Sequence, residues 1–173
     1  MSHSTPPSPK GGQYLTCWLG PERYGLEVLR VREIIGVLPI TPLPHSLDHI
    51  LGVVNLRGRV IPVADLRTRL GMPFREPSAE SCVIVVELDI GDKIVAAGLL
   101  VDEVADVCHV EEEEVVEPPH FDGRFDATCL LGLGRVDGDV VFLLDISKAL
   151  AHLRPDAGDP SPLASSADTL RCS

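Results

Sequence analysis

Apolar residues along this chain fall into short runs bounded by turn residues, and they do not recur with the spacing of a long amphipathic helix. Runs of this length that are rich in β-branched residues and bounded by Gly, Pro or Asp predict β-strands. The strands predicted in this way cover residues 14–19, 24–28, 82–88 and 94–101. Residues 31–35 alternate imperfectly, which predicts a strand or a single helical turn. The prolines within residues 40–44 predict an extended segment.

One stretch of the chain occurs twice. Residues 52–70 align without a gap to residues 132–150, at a separation of 80 positions. The identical pairs are Gly52 and Gly132, Gly58 and Gly138, Val60 and Val140, Asp65 and Asp145, and Leu70 and Leu150. An ungapped repeat predicts two similar β subdomains related by a pseudo-twofold axis. The alternative is that two unrelated hairpins share common turn chemistry.

Each copy predicts a β-hairpin followed by a short helix. Apolar runs flank the turn pairs Arg57-Gly58 and Asp137-Gly138, and such flanked pairs are a hairpin signal. Asp65 and its counterpart each follow an apolar strand and are predicted to be N-caps of helices that begin near Leu66 and Ile146. Pro62 donates no hydrogen bond and therefore favours a strand edge or end.

The tips of the two hairpins differ in charge. If only a turn were required, Arg57 and Asp137 would serve equally well, so the difference leaves room for a specific role of Arg57. On the residues alone, a solvated turn tip is the preferred interpretation, because exposed arginine is ordinary. A solvent-facing strand position is likewise preferred for Glu33, and a solvated basic face for Arg67 and Arg69.

Composition narrows the class of protein and its compartment. The chain has 173 residues, a net charge of −11 and only 4% aromatic residues. We therefore expect an aliphatic core and no nonspecific binding to nucleic acid or anionic lipid. No apolar run approaches the roughly 20 residues that a membrane helix needs, and the N-terminus has no signal-like apolar stretch. The prediction is a cytoplasmic domain over residues 13–153, with disordered tails at 1–12 and 154–173.

Reactive groups do not form a recognisable catalytic or metal site. The five cysteines lack CxxC spacing and are interpreted as small hydrophobic residues without a disulfide framework. His45 and His49 lack a third ligand and the glutamate of an HExxH pattern. Phosphate-binding loops and nucleophile elbows are missing from the sequence. We therefore expect no cofactor, no metal and no enzymatic activity. The acidic run 111–114 is interpreted as a solvated face, with a patch for a basic partner as the alternative.

Residues 14–150 resemble the CheW family of bacterial chemotaxis coupling proteins. The most specific match is the NLRG of residues 55–58 together with the IPVADLR of residues 61–67. Further matching segments lie at residues 24–28, 31–35, 40–44, 52–54, 98–104 and 132–134. The sequence departs from the family pattern in its acidic run and in its tails.

The resemblance implies a mainly β fold with two five-stranded SH3-like β-barrel subdomains. They would be related by a pseudo-twofold axis around a shared core, with a few short helices. It also implies a non-catalytic adaptor without cofactors, located in the cytoplasm at membrane receptor arrays and not inserted in the membrane. Such an adaptor couples the cytoplasmic tips of chemoreceptors to a CheA-type histidine kinase, whose regulatory domain has the same fold.

The resemblance also assigns a receptor-binding groove between the two barrels. Its family positions match Glu33, Asn55 and Arg57, with four apolar neighbours. These neighbours are Val31, Ile34, Ile84 and Val104. The resemblance therefore reverses the interpretation of Arg57, from a turn tip to a functional residue.

Two other hypotheses remain at this stage. One is a CheW-like adaptor of a related array that controls pili, surface sensing or development. The other is a regulatory fragment of a CheA-type kinase. That kinase would also need a phosphate-accepting histidine domain and an ATP-binding domain, and 173 residues leave no room for either.

Overall fold

In a computed structural model, residues 11–44, 47–90, 92–118 and 127–151 are described. The predicted tails lie outside these ranges, except for Gly11 and Gly12, and the first strand begins at Gly12. The strands are β1 Gly12–Leu19, β2 Glu22–Glu27, β3 Val31–Gly36, β4 Ile50–Leu56, β5 Arg59–Asp65, β6 Cys82–Ile90, β7 Lys93–Val101, β8 Glu103–Val110, β9 Val115–Val116, β10 Leu130–Val136 and β11 Asp139–Leu144. Two α-helices of one turn each are α1 Leu66–Arg69 and α2 Ile146–Ala149. The acidic run forms an exposed 3-10 turn, Glu112–Glu114.

The strands form two sheets that are built from different parts of the chain. The first sheet has the order β8-β1-β2-β11-β10-β9, and the second has the order β3-β6-β7-β5-β4. The second sheet is continuous in sequence, whereas the first combines the N-terminal hairpin with the C-terminal strands. Each repeated hairpin joins its sheet through a parallel pairing, β5 with β7 and β11 with β2. The mainly β fold with two SH3-like subdomains is confirmed, although the two-residue strand β9 gives the first sheet a sixth strand.

The two copies of the repeat have the same local structure. Both hairpins shift register at the same place, between Ile50 and Gly52 in one and between Leu130 and Gly132 in the other. The carboxylate of Asp65 accepts a hydrogen bond from the Thr68 amide at 3.3 Å. In the second copy, Asp145 caps α2 in the same way, accepting from the Lys148 amide at 3.2 Å. A shared bulge and a shared cap support the pseudo-twofold relation over two unrelated hairpins.

The core has one large shared part and two small separate parts. Alternate residues of β6 show the division. Ile84, Val86 and Leu88 face the large cluster between the sheets, whereas Val83 and Val85 face a smaller cluster inside the second sheet. A third cluster inside the first sheet consists of Tyr14, Val110, Val115, Val141 and Leu143. Burying a Val, Leu or Ile side chain is worth about 1.5–3 kcal/mol, so the shared cluster is the main force that holds the two sheets together.

Pro62 was expected at the edge or end of a strand. This was wrong, because Pro62 lies within β5, which is an inner strand of its sheet. Pro62 lies opposite Val53 of β4. The amide and carbonyl of Val53 point the other way and bond to Thr41, at 2.9 and 2.8 Å. In an antiparallel pair, such outward-facing groups mark a position without hydrogen bonds between the two strands. Pro62 therefore costs this pair no hydrogen bond.

The cysteines of the described ranges are free thiols. Cys17 and Cys129 are buried, and Cys82 and Cys108 are partly buried. Burial raises the pKa of Cys17 to about 12, so this thiol stays protonated. Among the described residues, no helix is long and apolar enough to cross a membrane.

Gly52 is predicted to tolerate no side chain. Its φ is +149°, and a Cβ there would lie 2.1 Å from the Thr41 carbonyl oxygen, a backbone atom that cannot rotate away. We expect Gly52→Ala to lower the free energy of unfolding by about 1–3 kcal/mol, the usual cost of overpacking, as measured by urea denaturation.

The control is Gly36→Ala, because no atom lies within 4 Å of a Cβ at Gly36. Its expected change is within about 0.5 kcal/mol. Equal unfolding free energies for the two variants would contradict the role given to Gly52.

Candidate functional site

An ion pair connects the tip of the β4–β5 hairpin to strand β3. Arg57 Nη1 donates to Glu33 Oε2 at 2.7 Å, and Arg57 Nη2 donates to Glu33 Oε1 at 2.6 Å. Two parallel N–H···O bonds fix both side chains in one plane. Strands β3 and β4 are the opposite edges of the second sheet, so the ion pair spans the opening of this barrel. A backbone bridge between Thr41 and Val53 covers the outer edge of β4.

Asn55 shapes the hairpin tip. Its Oδ1 accepts a hydrogen bond from the Gly58 amide at 2.9 Å and so closes the turn. Arg57 and Gly58 have φ values of 52° and 84°, the paired positive values of a type I′ turn. Asp137 in the other copy has a φ of 53°. The left-handed backbone at Arg57 is therefore a property of both repeats, and only the side chain distinguishes this tip.

The pair has a defined charge state. Hydrogen bonds from Arg57 lower the pKa of Glu33, with smaller help from the charges of Arg57 and Arg32. The same contact raises the pKa of Arg57. The Arg57 side chain remains 70% exposed, whereas Glu33 is 23% exposed. The pair therefore presents a fixed, accessible guanidinium that is supported by a more buried carboxylate.

The predicted apolar neighbours divide into exposed, partly buried and buried residues. Ile34 is 43% exposed and follows Glu33 on β3. Val31 on β3 and Val104 on β8 are partly buried and pack against the shared core from different sheets. Ile84 is fully buried opposite Ile34. Because Ile84 has no exposed surface, it can contribute to a groove only by packing beside Ile34, its cross-strand partner on the same face of the sheet.

Sequence reasoning missed the surroundings of two residues in the β5–α1 segment. Val60 lies opposite Asn55 and is 37% exposed, although the pattern placed it in an apolar strand. Arg67 was interpreted as part of a solvated face, but its side chain is only 14% exposed and pairs with Asp102. The signal for Arg67 was its place in the IPVADLR segment. Within the described ranges, no group of three or more His, Cys, Asp or Glu side chains is arranged to hold a metal ion.

Comparison with known proteins identifies the family of this chain. Residues 13–154 match the family model for the CheW-like domain. The chemotaxis protein CheW of Rhizobium meliloti is 34% identical over 137 residues, which cover 79% of this chain and 86% of that protein. The chemotaxis protein CheW of Klebsiella aerogenes is 34% identical over 141 residues, which cover 82% of each chain.

A solved structure supports the same assignment. The crystal structure of the scaffolding protein TtCheW from Thermoanaerobacter tengcongensis matches with a TM-score of 0.69 and 32% identity. The match covers 78% of this chain and 89% of that one. The fold is thus a mainly β fold with two barrels. This chain belongs to the CheW family of chemotaxis coupling proteins.

The Glu33–Arg57 ion pair leads to a prediction about the pKa of Glu33. Arg57→Ala removes the hydrogen bonds that hold the pKa of Glu33 down, so this pKa should rise toward the ordinary glutamate value. The Glu33 carboxyl resonance, followed by NMR during a pH titration, measures the change. Because the pKa is lower in the folded chain, the pair stabilises the fold above the pKa of the unfolded chain, but only slightly, as is usual for an exposed ion pair. This contribution is lost as the pH falls through the folded value.

Arg59→Ala is the matched control, since Arg59 lies on the same turn but contributes nothing to the Glu33 shift. It should leave the pKa of Glu33 unchanged. The pairing would be refuted if Glu33 titrated identically in the parent and in Arg57→Ala.

Proposed function

We propose that this protein couples the cytoplasmic tips of chemoreceptors to a CheA-type histidine kinase. It would act without catalysis, in the cytoplasm, within membrane-associated receptor arrays. The support is membership of the CheW family and the name of a structural relative, which is called a scaffolding protein. The observation that carries the proposal is the exposed Glu33–Arg57 pair at the tip of the NLRG hairpin.

The Arg57 guanidinium suits recognition of a helical receptor tip. Its bonds to Glu33 use Nη1 and Nη2, and a guanidinium has further N–H donors that remain for a partner. These donors can bind a carboxylate or the free carbonyls at the end of a helix. Because Glu33 already fixes the side chain, little conformational freedom is lost on binding.

The surroundings of Arg57 add apolar contact to this polar centre. Ile34 and Val60 are exposed on β3 and β5, each close in sequence to one member of the ion pair. Interfaces commonly combine a central arginine with apolar contacts that exclude water. In this proposal, Val31 and Val104 line the boundary between the two sheets, where the receptor helices would lie.

A structural role is the rival explanation for Arg57. The ion pair lies entirely within the second sheet, between β3 and the β4–β5 tip. As a brace, it would therefore stabilise the closure of one barrel and not the joint between the two. Loss of such a brace would lower stability and weaken every interaction together, whereas loss of a contact residue would weaken receptor binding selectively.

Arg57→Ala should separate these roles. We expect affinity for a chemoreceptor cytoplasmic fragment to fall roughly tenfold or more, as for a central interface arginine. Binding to the kinase and the melting temperature should remain close to those of the parent. Isothermal titration calorimetry with each partner and thermal melts measure the three quantities. Glu33→Ala should weaken receptor binding in the same direction but less.

Arg59→Ala controls for loss of positive charge on the same turn and should bind the receptor fragment almost as the parent does. If Arg57→Ala melted like the parent and kept the parental receptor affinity, Arg57 would not belong to the site. If it lost stability and both affinities together, the brace would be the correct explanation.

A further inference from the structure

Arg67 makes specific contacts in two directions. It lies on α1, and its Nη1 donates to Asp102 Oδ2 at 2.6 Å. Its Nε donates to the carbonyl oxygen of Pro73 at 3.1 Å. The corresponding position in the second copy is Ser147, which cannot make such contacts. This arrangement therefore occurs on only one side of the pseudo-twofold axis.

Asp102 lies where the chain passes from one sheet to the other. It follows β7 of the second sheet and precedes β8 of the first. Its Oδ2 also accepts from the amide of Gly20, in the β1–β2 turn, at 2.7 Å. The Asp102 amide donates to the Trp18 carbonyl at 3.2 Å. One carboxylate thus joins the helical turn that follows β5 to the hairpin turn of the opposite sheet.

The Arg67–Asp102 ion pair is mostly shielded from solvent. The side chains of Arg67 and Asp102 are 14% and 21% exposed. Removing one partner of a largely buried ion pair leaves the other charge without compensation, which is more costly than losing an exposed pair. Arg75 also lies near Asp102, with its Nη1 3.5 Å from Asp102 Oδ2, but its side chain is 61% exposed. It therefore lies on the solvent side of the Arg67–Asp102 pair and does not replace Arg67.

We propose that Arg67, Asp102 and the Gly20 amide form a clasp that sets the orientation of the two sheets and so positions the receptor-binding surface. Val104 lies on β8, two residues after Asp102, while Glu33 and Arg57 lie on the opposite sheet. The clasp therefore holds the start of β8 at a fixed place relative to the ion pair. This inference rests on the proposed function, and it makes Arg67 and Asp102 positioning residues that do not touch the receptor.

The protein contains its own reporter for this clasp. Trp18 is the single tryptophan, and it lines a cavity of about 260 Å³ together with Gly20 and Asp102. A loosened clasp should change the fluorescence emission of Trp18 and speed hydrogen exchange at the Gly20 amide. Neither signal depends on a receptor.

The test compares variants that remove or keep the charge pair. Arg67→Met removes the guanidinium and keeps much of its length. Asp102→Asn keeps an acceptor for Gly20 but removes the charge, and Arg67→Lys keeps a cation for Asp102. Asp89→Asn is the control, because Asp89 forms a more distant pair with Arg30, at 3.6 Å, and is 73% exposed. Each variant is assayed well below its melting temperature for Trp18 emission, Gly20 exchange and affinity for a chemoreceptor cytoplasmic fragment.

We expect Arg67→Met and Asp102→Asn to alter Trp18 emission, to speed Gly20 exchange and to weaken receptor binding about fivefold or more, as is usual for coupled sites. Arg67→Lys should retain most of the affinity, and Asp89→Asn should match the parent. Should Arg67→Met or Asp102→Asn not fold, Arg67→Lys and the other charge-removing variant still test the clasp. If Arg67→Lys bound the receptor fragment as weakly as Arg67→Met, the role of the ion pair would be overturned.

Parental receptor affinity in a variant with faster Gly20 exchange would overturn the positioning role. Unchanged emission and exchange in both charge-removing variants would overturn the clasp itself. If the parent did not bind the fragment at all, the proposed function would fail, whereas the emission and exchange data would still decide whether the clasp exists.

Discussion

The structure depends on the apolar surface that the two sheets bury against each other. Residues from β1, β2, β6 and β7 meet there with α1 and α2, in the largest cluster of the described core. Neither sheet can form from one copy of the repeat alone, because each repeated hairpin pairs with a strand outside the repeat, β5 with β7 and β11 with β2. The first sheet combines strands that precede and follow the second sheet along the chain, so folding of the two subdomains is coupled. Packing brings the two sheets together, and the proposed clasp fixes their relative orientation.

On this common framework the two copies carry different chemistry. The tips have the same backbone, with φ values of 52° at Arg57 and 53° at Asp137. The residue that follows each turn glycine also has opposite charge in the two copies, Arg59 in one and Asp139 in the other. The fold thus provides two equivalent positions, and the cationic one pairs with a carboxylate, Glu33, on the opposite edge strand of its sheet. Arg67 repeats this pattern, because its counterpart is Ser147.

Sequence patterns predicted much of this architecture. The two hairpins, the caps at Asp65 and Asp145 and both short helices follow from apolar runs, turn residues and the ungapped repeat. The pairing of Glu33 with Arg57 could not be derived from these patterns, since the two residues are 24 positions apart and meet only through the sheet topology. Family resemblance placed them in one region without showing the contact.

The failures of sequence reasoning have physical causes. Local patterns do not show which charged side chain is buried by a distant segment, so Arg67 was assigned to a solvated face. The family resemblance assigned Ile84 to the groove, but a family pattern does not show whether an apolar side chain lies in the shared core or at its surface. Pro62 was expected at a sheet edge, because the sequence does not reveal that its partner Val53 turns its hydrogen-bonding groups toward Thr41.

The central claim is that the cationic tip binds the receptor, and the repeat supplies an internal control for it. A titration of the isotope-labelled protein with a chemoreceptor cytoplasmic fragment, followed by NMR of the backbone amides, compares Gly58 with Gly138 in one sample. The account predicts that the amides of Glu33, Asn55 and Gly58 shift with the fragment while Gly138 does not. Shifts at Gly138 with Gly58 unaffected would contradict it.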